Sequence, residues 1–451
     1  MRGRILLVLL YAGSAFAQAP QVLSLEDAVA IGKRNSKLLQ IADAKAYGAE
    51  AKAGEAEAAL LPALRFSGIY THLSKGDFTL NVAPTGEASA GSSTSGRAVP
   101  IAPVVQDNFT LRVAVFQPLF TGFRLSSNSR AAEYAFQASI LERQMTGSDL
   151  ILNVTTAYWT LYQARETRKL VGENVARLEA YLADTQRLMQ TGMATRNDQL
   201  KMEVQLANAR LLDIDATNDA RLACMNLNSL IGQPLETEIV PGSSPDALLR
   251  PDSLASADDD MVALPGKALS ARRDLQAAAL LREAAREGVS AARGGYWPQV
   301  DLSAGYNYNR PNSRYQPVTP EFLGGWDIGV QVQLDIWNWG RTACQAEQAE
   351  AILRQSEHQL GQLRDNVVLE VNRATLGTHR ASEKVSVARL GVVQADENVR
   401  VTNDRYRNGL ATSSELLDAE VAVLQAKTNL TGATVEYAVT ATRLARALGE
   451  L

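Results

Sequence analysis

Glu415 and Asp418 stand three residues apart in the stretch RYRNGLATSSELLDAE, a spacing that places both carboxylates on one face of a helix. Gathered from three copies into one ring of six carboxylates, acids so placed would attract cations and bind divalent ions. Near a helix N-terminus they are equally well explained as solvated acids favoured by the helix dipole, and the spacing does not choose between the two. Groups that would point to catalysis are missing: His72, His358 and His379 have no metal-ligand spacing, and the sequence has neither a Gly-rich phosphate loop nor a nucleophile elbow. The expectation is a protein that is not an enzyme and takes no cofactor or metal.

The elements that hold these acids are written twice. GMATRNDQLKMEVQLANARLLD, from Gly192, matches GLATSSELLDAEVAVLQAKTNL, from Gly409, Gly to Gly, Ala-Thr to Ala-Thr, Asp198 to Glu415 and Glu203 to Glu420. The same offset pairs Arg124 with Arg341 and Gly232 with Gly449, so the chain is a tandem duplication. No proline interrupts 124 to about 190 or 341 to about 407, and each stretch predicts a helical rod of roughly 100 Å. Gly192 and Gly409 end the rods as left-handed caps. Return helices to Gly232 and Gly449, about 57 Å long, and helices of about 45 Å ahead of Pro62 and Pro298 add up to one rod length. Cys224 and Cys344, the only cysteines, fall at rod heights roughly 50 Å apart, which predicts no disulfide.

Between the helices lie strands. In GWDIGVQVQLDIW, Gly325 to Trp337, Trp326, Ile328, Val330, Val332, Leu334 and Ile336 alternate with Asp327, Gly329, Gln331, Gln333 and Asp335, one face for lipid and one for water. A half-buried sandwich strand has the same pattern. NFTLRVAVFQPLF is its partner in the first repeat, and each repeat adds a strand after Pro62 and Pro298, which makes four strands in two hairpins. Residues 76 to 107, rich in Gly, Ser, Thr and Pro, predict a surface loop.

The N-terminus MRGRILLVLLYAGSAFAQ has the order of a secretory signal peptide, with cleavage expected after Ala17 and no following Cys to carry a lipid. Its removal takes the formal charge from -4 to about -6, too mild to suggest a nucleic-acid partner. Beyond it no apolar run reaches the roughly 18 residues of a spanning helix, so a membrane would be crossed by strands. The expected division is a signal peptide at 1–17; a first repeat at 18–232, with a hairpin at about 63–120; a linker at 233–266, whose Asp258-Asp259-Asp260 run is a solvated face; and a second repeat at 267–451, with a hairpin at about 299–337.

With these pieces in place the chain resembles the TolC-type outer-membrane efflux proteins over about residues 24 to 449. The resemblance is carried most specifically by RYRNGLATSSELLDAE, LREAAREGVSAARGGYWPQVDLSAGY and WGRTACQAEQAE. It implies an α+β membrane protein in which the four strands of each chain contribute to a trimeric 12-stranded transmembrane β-barrel, continued by a long periplasmic α-helical barrel. By the same resemblance the tips at Gly192 and Gly409 dock a periplasmic adaptor, itself joined to an inner-membrane transporter. Glu415 and Asp418 ring a periplasmic gate, and Tyr406 and Asp198 tie the inner hairpin to its neighbour. Two departures stand out: Ala411 replaces the Arg usual two residues after the second tip Gly, and the lipid-bearing Cys of some members is missing.

Closure gives a separate reason for three copies. Four strands cannot close a barrel, eight make a filled one, and 12 surround an aqueous lumen. The reading is a passive exit duct of a tripartite efflux or type I secretion system in the outer membrane, a homotrimer in contact with lipid. The alternative is a periplasmic coiled-coil adaptor or structural protein.

Overall fold

The computed structural model describes residues 21–74, 79–82, 97–100, 105–245, 263–315 and 318–451. The expected signal peptide and the Asp258-Asp259-Asp260 run lie outside them. In chain order the elements are β1 (Gln21–Leu23), α1 (Leu25–Asn35), α2 (Lys37–Ala58), β2 (Ala63–His72), β3 (Thr79–Val82), β4 (Arg97–Pro100), β5 (Asp107–Phe120), α3 (Arg124–Gln190), α4 (Arg196–Ile231), β6 (Ile239–Pro241), α5 (Ala263–Ala271), α6 (Arg273–Arg293), β7 (Gln299–Arg310), β8 (Leu323–Gln333), α7 (Arg341–Arg407) and α8 (Ser413–Leu448). The duplication is metric. Both α3 and α7 have 67 residues and both α4 and α8 have 36, and the shift that carries Arg124 to Arg341 carries every one of these helix ends onto its counterpart.

Two compact units form. One takes residues to Ala46, Ser139–Ala277 and Gln359–Leu451; the other takes Tyr47–Ala138 and Ala278–His358. The first is helical apart from a parallel β1–β6 pair. Its core joins Leu150, Val154, Tyr158 and Trp159 of α3 to Leu227 and Ile231 of α4 and to Ala438 and Val439 of α8. The buried Tyr158 hydroxyl donates to the Leu23 carbonyl at 2.9 Å and accepts from the Ser243 amide at 2.9 Å, so one phenol ties the end of β1 to the residues that follow β6. Cys224 acts in a similar way, its thiol donating to the Thr237 carbonyl at 3.3 Å and accepting from the Ile239 amide at 3.4 Å. Both cysteines are free.

The second unit is built on a four-stranded antiparallel sheet in the order β2-β5-β7-β8. Register separates the residue types: Leu64 faces Val115, Phe66 faces Val113, Val113 faces Tyr306 and Tyr306 faces Trp326 on one side. On the other side Ser67 faces Arg112, Arg112 faces Asn307 and Asp301 faces Gln331. The apolar side is bare, with Phe66, Trp326, Ile328 and Val330 exposed by 71%, 74%, 65% and 61%.

Three sequence expectations need correction. The strand expected to run to Trp337 stops at Gln333, which pairs with Gln299; Pro298, the residue before β7 that would face Leu334, has no N–H to continue the ladder. Asp335 therefore leaves the polar face and pairs with Arg341 at 2.7 Å. Within the segment read as a loop, Thr79–Val82 and Arg97–Pro100 form an antiparallel ladder. The linker expected to reach 266 gives way to α5 at Ala263.

Candidate functional site

The candidate site lies at the tip ends of α3, α4, α7 and α8, within the first unit. Both rods end in the same way. Gly192 and Gly409 have φ of +77° and +73°, a conformation only glycine adopts without strain. The Met193 amide reaches the Leu188 carbonyl at 2.9 Å, and the Leu410 amide reaches Arg405 at 2.8 Å, the bonds of a Schellman cap. Both glycines are exposed. The return helices start on Thr195 and Thr412, whose hydroxyls accept from the amides of Asp198 and Glu415.

Of the four gate residues expected, the two acids of the second hairpin are solvated. Glu415 and Asp418 are exposed, and their carboxylates make no hydrogen bond or ion pair to a described residue. Tyr406 and Asp198 are instead engaged within the chain. Tyr406 is 8% exposed and its hydroxyl lies 2.8 Å from Thr185 Oγ1. Asp198 accepts from Ser413 Oγ at 2.6 Å and from Thr195 Oγ1 at 2.6 Å. The Ser413 hydroxyl, then the hydroxyl and the backbone amide of Thr195, hold the Asp198 carboxyl below the ordinary aspartate range. Lys201, opposite Asp418 in the repeat, gives its ammonium to Ser414 Oγ at 2.9 Å.

The sign of the Asp198 effect follows. A carboxyl whose folded pKa is depressed contributes stability above its unfolded pKa and loses it as pH falls through the folded value. Tip amides around 195–200 and 411–416 are thus expected to keep their hydrogen-exchange protection down to about pH 4 and lose it below, after correction for intrinsic rates. Asp198→Asn should flatten that dependence, and an unchanged profile would show that the Ser413 bond carries no weight.

A group that sequence reading assigned no role sits deeper. Glu420 on α8 is 1% exposed; it accepts from Arg177 Nε at 3.0 Å and from the Tyr181 hydroxyl at 2.8 Å, both on α3. Burial first, then the bond to this carboxylate, pushes the Tyr181 phenol well above its usual range. Around them Leu178, Tyr181, Met202, Leu206, Tyr406 and Leu416 form one apolar cluster from all four helices. The repeat match of Glu203 with Glu420 was visible, but Arg177 has Gln394 as its counterpart, so the pairing occurs once per chain. That break in the repeat was the available signal.

In the second unit the polar sheet face has its own charge pair. Arg112 donates to Asp327 Oδ2 at 2.8 Å and to Asn307 Oδ1 at 3.1 Å, spanning three strands. The apolar face is bounded at each strand end by aromatics: Tyr70, Phe109, Tyr308 and Phe322 at one, with centroids 4.9 to 5.6 Å apart, and Phe120, Phe123 and Trp297 at the other. An apolar band between aromatic girdles is the surface a strand presents to a bilayer.

A family model described as "Outer membrane efflux protein" matches residues 33–233 and 264–450. The chain belongs to the outer membrane efflux protein family. It is 25% identical over 357 residues to the outer membrane protein TolC of Vibrio cholerae, covering 78% of each chain. It is 24% identical to the proteases secretion protein PrtF of Dickeya chrysanthemi, over 91% of this chain and 85% of that one. The crystal structure of the outer membrane protein VceC from Vibrio cholerae superposes with a TM-score of 0.74 at 19% identity, over 94% of this chain and 96% of the other. The protein is thus an outer-membrane channel of the efflux type, reaching into the periplasm, in a family of channels.

Proposed function

We propose that three copies close one 12-stranded barrel and form a passive exit duct that does no chemistry of its own and needs no cofactor. A sheet of four strands whose two edge strands, β2 and β8, have no further partner among the described residues carries this reading. Unpaired edges are not tolerated in lipid, and joining β8 of each copy to β2 of the next removes all of them at three copies. The polar face, with Arg112, Asn307, Asp327 and Gln331, then lines a wet lumen. A periplasmic adaptor, the other reading, has no use for a bare apolar sheet between aromatic girdles.

Substrates would enter at the helix tips. The capped tips at Gly192 and Gly409 present small exposed turns, suited to end-on packing against the helices of a periplasmic adaptor that holds an inner-membrane transporter in place. Glu415 and Asp418 from three copies would ring the entry, with Tyr406 and Asp198 holding adjacent hairpins together. Cargo choice would rest with the transporter. Native mass measurement of the detergent-extracted outer-membrane protein is expected to give a trimer; a stable monomer recovered from the soluble periplasm would overturn the duct.

A further inference from the structure

Within the first unit, α7 and α8 face each other across an open cavity of about 350 Å³ that Leu152 of α3 also lines. Two ion pairs bound it. Arg380 on α7 meets Glu436 on α8 at 3.0 Å, and Glu370 on α7 meets Arg446 on α8 at 2.6 Å. These pairs lie ten residues apart on each helix, so the antiparallel helices keep one register between them. Arg373 and Arg443, each three residues in from the second pair, therefore stand level across the cavity. Steps of three and seven residues from the flanking pairs put both on the facing sides of their helices.

That level does not balance. Arg373 and Arg443 are exposed, and neither makes a hydrogen bond or ion pair to a described residue. The acids beside them are already engaged: Glu370 holds Arg272 as well as Arg446, and Glu436 holds Lys384 as well as Arg380. Like charges level across a groove oppose the pairing of the two helices, by the same Coulomb attraction with its sign reversed that favours the flanking pairs. The duplication does not account for them. Their counterparts in the first repeat are Thr156 and Asn226, and Arg380 and Arg446 are matched by Gln163 and Ser229, so this set of arginines occurs once per chain. Gly377 lies between the levels, where the first repeat has Thr160. A Cβ at Gly377 would meet Thr440 Cγ2 at 3.9 Å, an ordinary contact, so packing does not require the space that the glycine leaves.

We propose that Arg373 and Arg443 clamp the phosphate or carboxylate group of a small organic anion whose apolar body lies over Leu152, Ala374 and Gly377. A guanidinium presents a planar fork that matches either oxyanion through two parallel hydrogen bonds. An oxyanion between two such forks turns a repulsive level into an attractive one. Leu152, Ala374 and Gly377 line the cavity between the charged levels and offer the body no polar side chain. The site is complete in one chain, so it does not depend on the three-copy reading above.

The test is native-state hydrogen exchange of the full chain in detergent at low salt, read at amides 370–380 and 436–446, with 1-naphthyl phosphate, 1-naphthoate and inorganic phosphate as probes. At ten times its dissociation constant a bound probe should slow exchange there about tenfold. A naphthyl anion should act at concentrations well below those needed for inorganic phosphate, and the effect should fade as salt is added. Which of the two naphthyl anions acts at the lower concentration identifies the clamped group. Arg443→Glu gives the level the opposite charges of its neighbours, so this variant should fold, exchange more slowly than the ligand-free parent and ignore all three probes. Gly377→Met should fill the floor and remove the naphthyl advantage while inorganic phosphate still binds. No slowing by any probe, or equal slowing of the parent and Arg443→Glu, overturns the site. So does an Arg443→Glu chain that exchanges no more slowly than the ligand-free parent, since the level then carries no repulsion. Inorganic phosphate that acts as well as the naphthyl anions overturns the apolar part of the site. The number of copies, reported separately by native mass, changes none of these outcomes.

Discussion

Removing the Arg177 guanidinium, as in Arg177→Leu, is expected to weaken the tip locally by roughly 3 kcal/mol, because it leaves a buried carboxylate with only a phenol to satisfy it. Glu420 is 1% exposed and Arg177 is its sole ion-pair partner among the described residues, with a side chain still 35% open to water. That opening argues for the lower end of the range seen when a buried pair is broken. Glu420→Gln in the same chain should restore much of the loss, since a neutral amide costs far less to bury and can still accept from Tyr181. Local opening free energies from native-state hydrogen exchange at 177–185 and 416–424 measure both effects, and suit a chain too long for a single global transition. A double-mutant cycle with a coupling energy below about 0.5 kcal/mol would mean that the pair is a bystander. The pair also joins the two hairpins, α3 of the first to α8 of the second, so its loss should raise spontaneous channel opening.

How the sequence foretold this molecule depends on the kind of interaction. Helix lengths were readable because a missing proline and a glycine cap act locally, and Arg124, Gly192, Arg341 and Gly409 mark boundaries that no tertiary contact moved. The sheet's two faces were readable because alternation is also local. Where β8 stops was not, because that depends on Pro298 standing across the ladder, a pairing known only once register is fixed. A similar limit applied at the tip. Glu415 and Asp418 could be placed on one helix face from spacing alone, whereas Ser413 on Asp198, Thr185 on Tyr406 and Arg177 on Glu420 are contacts between helices from different repeats. The duplication suggests that such pairs come in matched sets, and the folded chain shows that they do not: Glu203, the counterpart of Glu420, accepts instead from Gln199 on its own helix at 2.8 Å.

Neutralising the two exposed acids, Glu415→Gln with Asp418→Asn, is expected to abolish divalent-ion block and most cation selectivity in single-channel recordings. Three copies would bring six carboxylates to one opening, and two of them at an assumed separation of about 6 Å repel by about 1 to 3 kcal/mol between the dielectric limits of water and protein surface. A ring under that repulsion lowers its energy by gathering cations, divalent ones above all. Among the described residues no arginine or lysine pairs with either acid: the Lys201 ammonium donates to Ser414, and Arg405, the nearest candidate to replace the arginine missing at Ala411, closes its own turn on the Leu410 carbonyl at 3.1 Å. The parent should therefore show low, cation-selective conductance blocked by divalent ions. Tyr406→Phe tests the tether separately, since it removes only the hydroxyl at Thr185 and leaves the ring in its apolar cluster; conductance should rise while block by divalent ions persists. The two variants thus separate charge from constraint. If the double acid variant keeps the parent's selectivity and block, the narrowest point of the duct lies elsewhere and the two acids are solvated ends of α8.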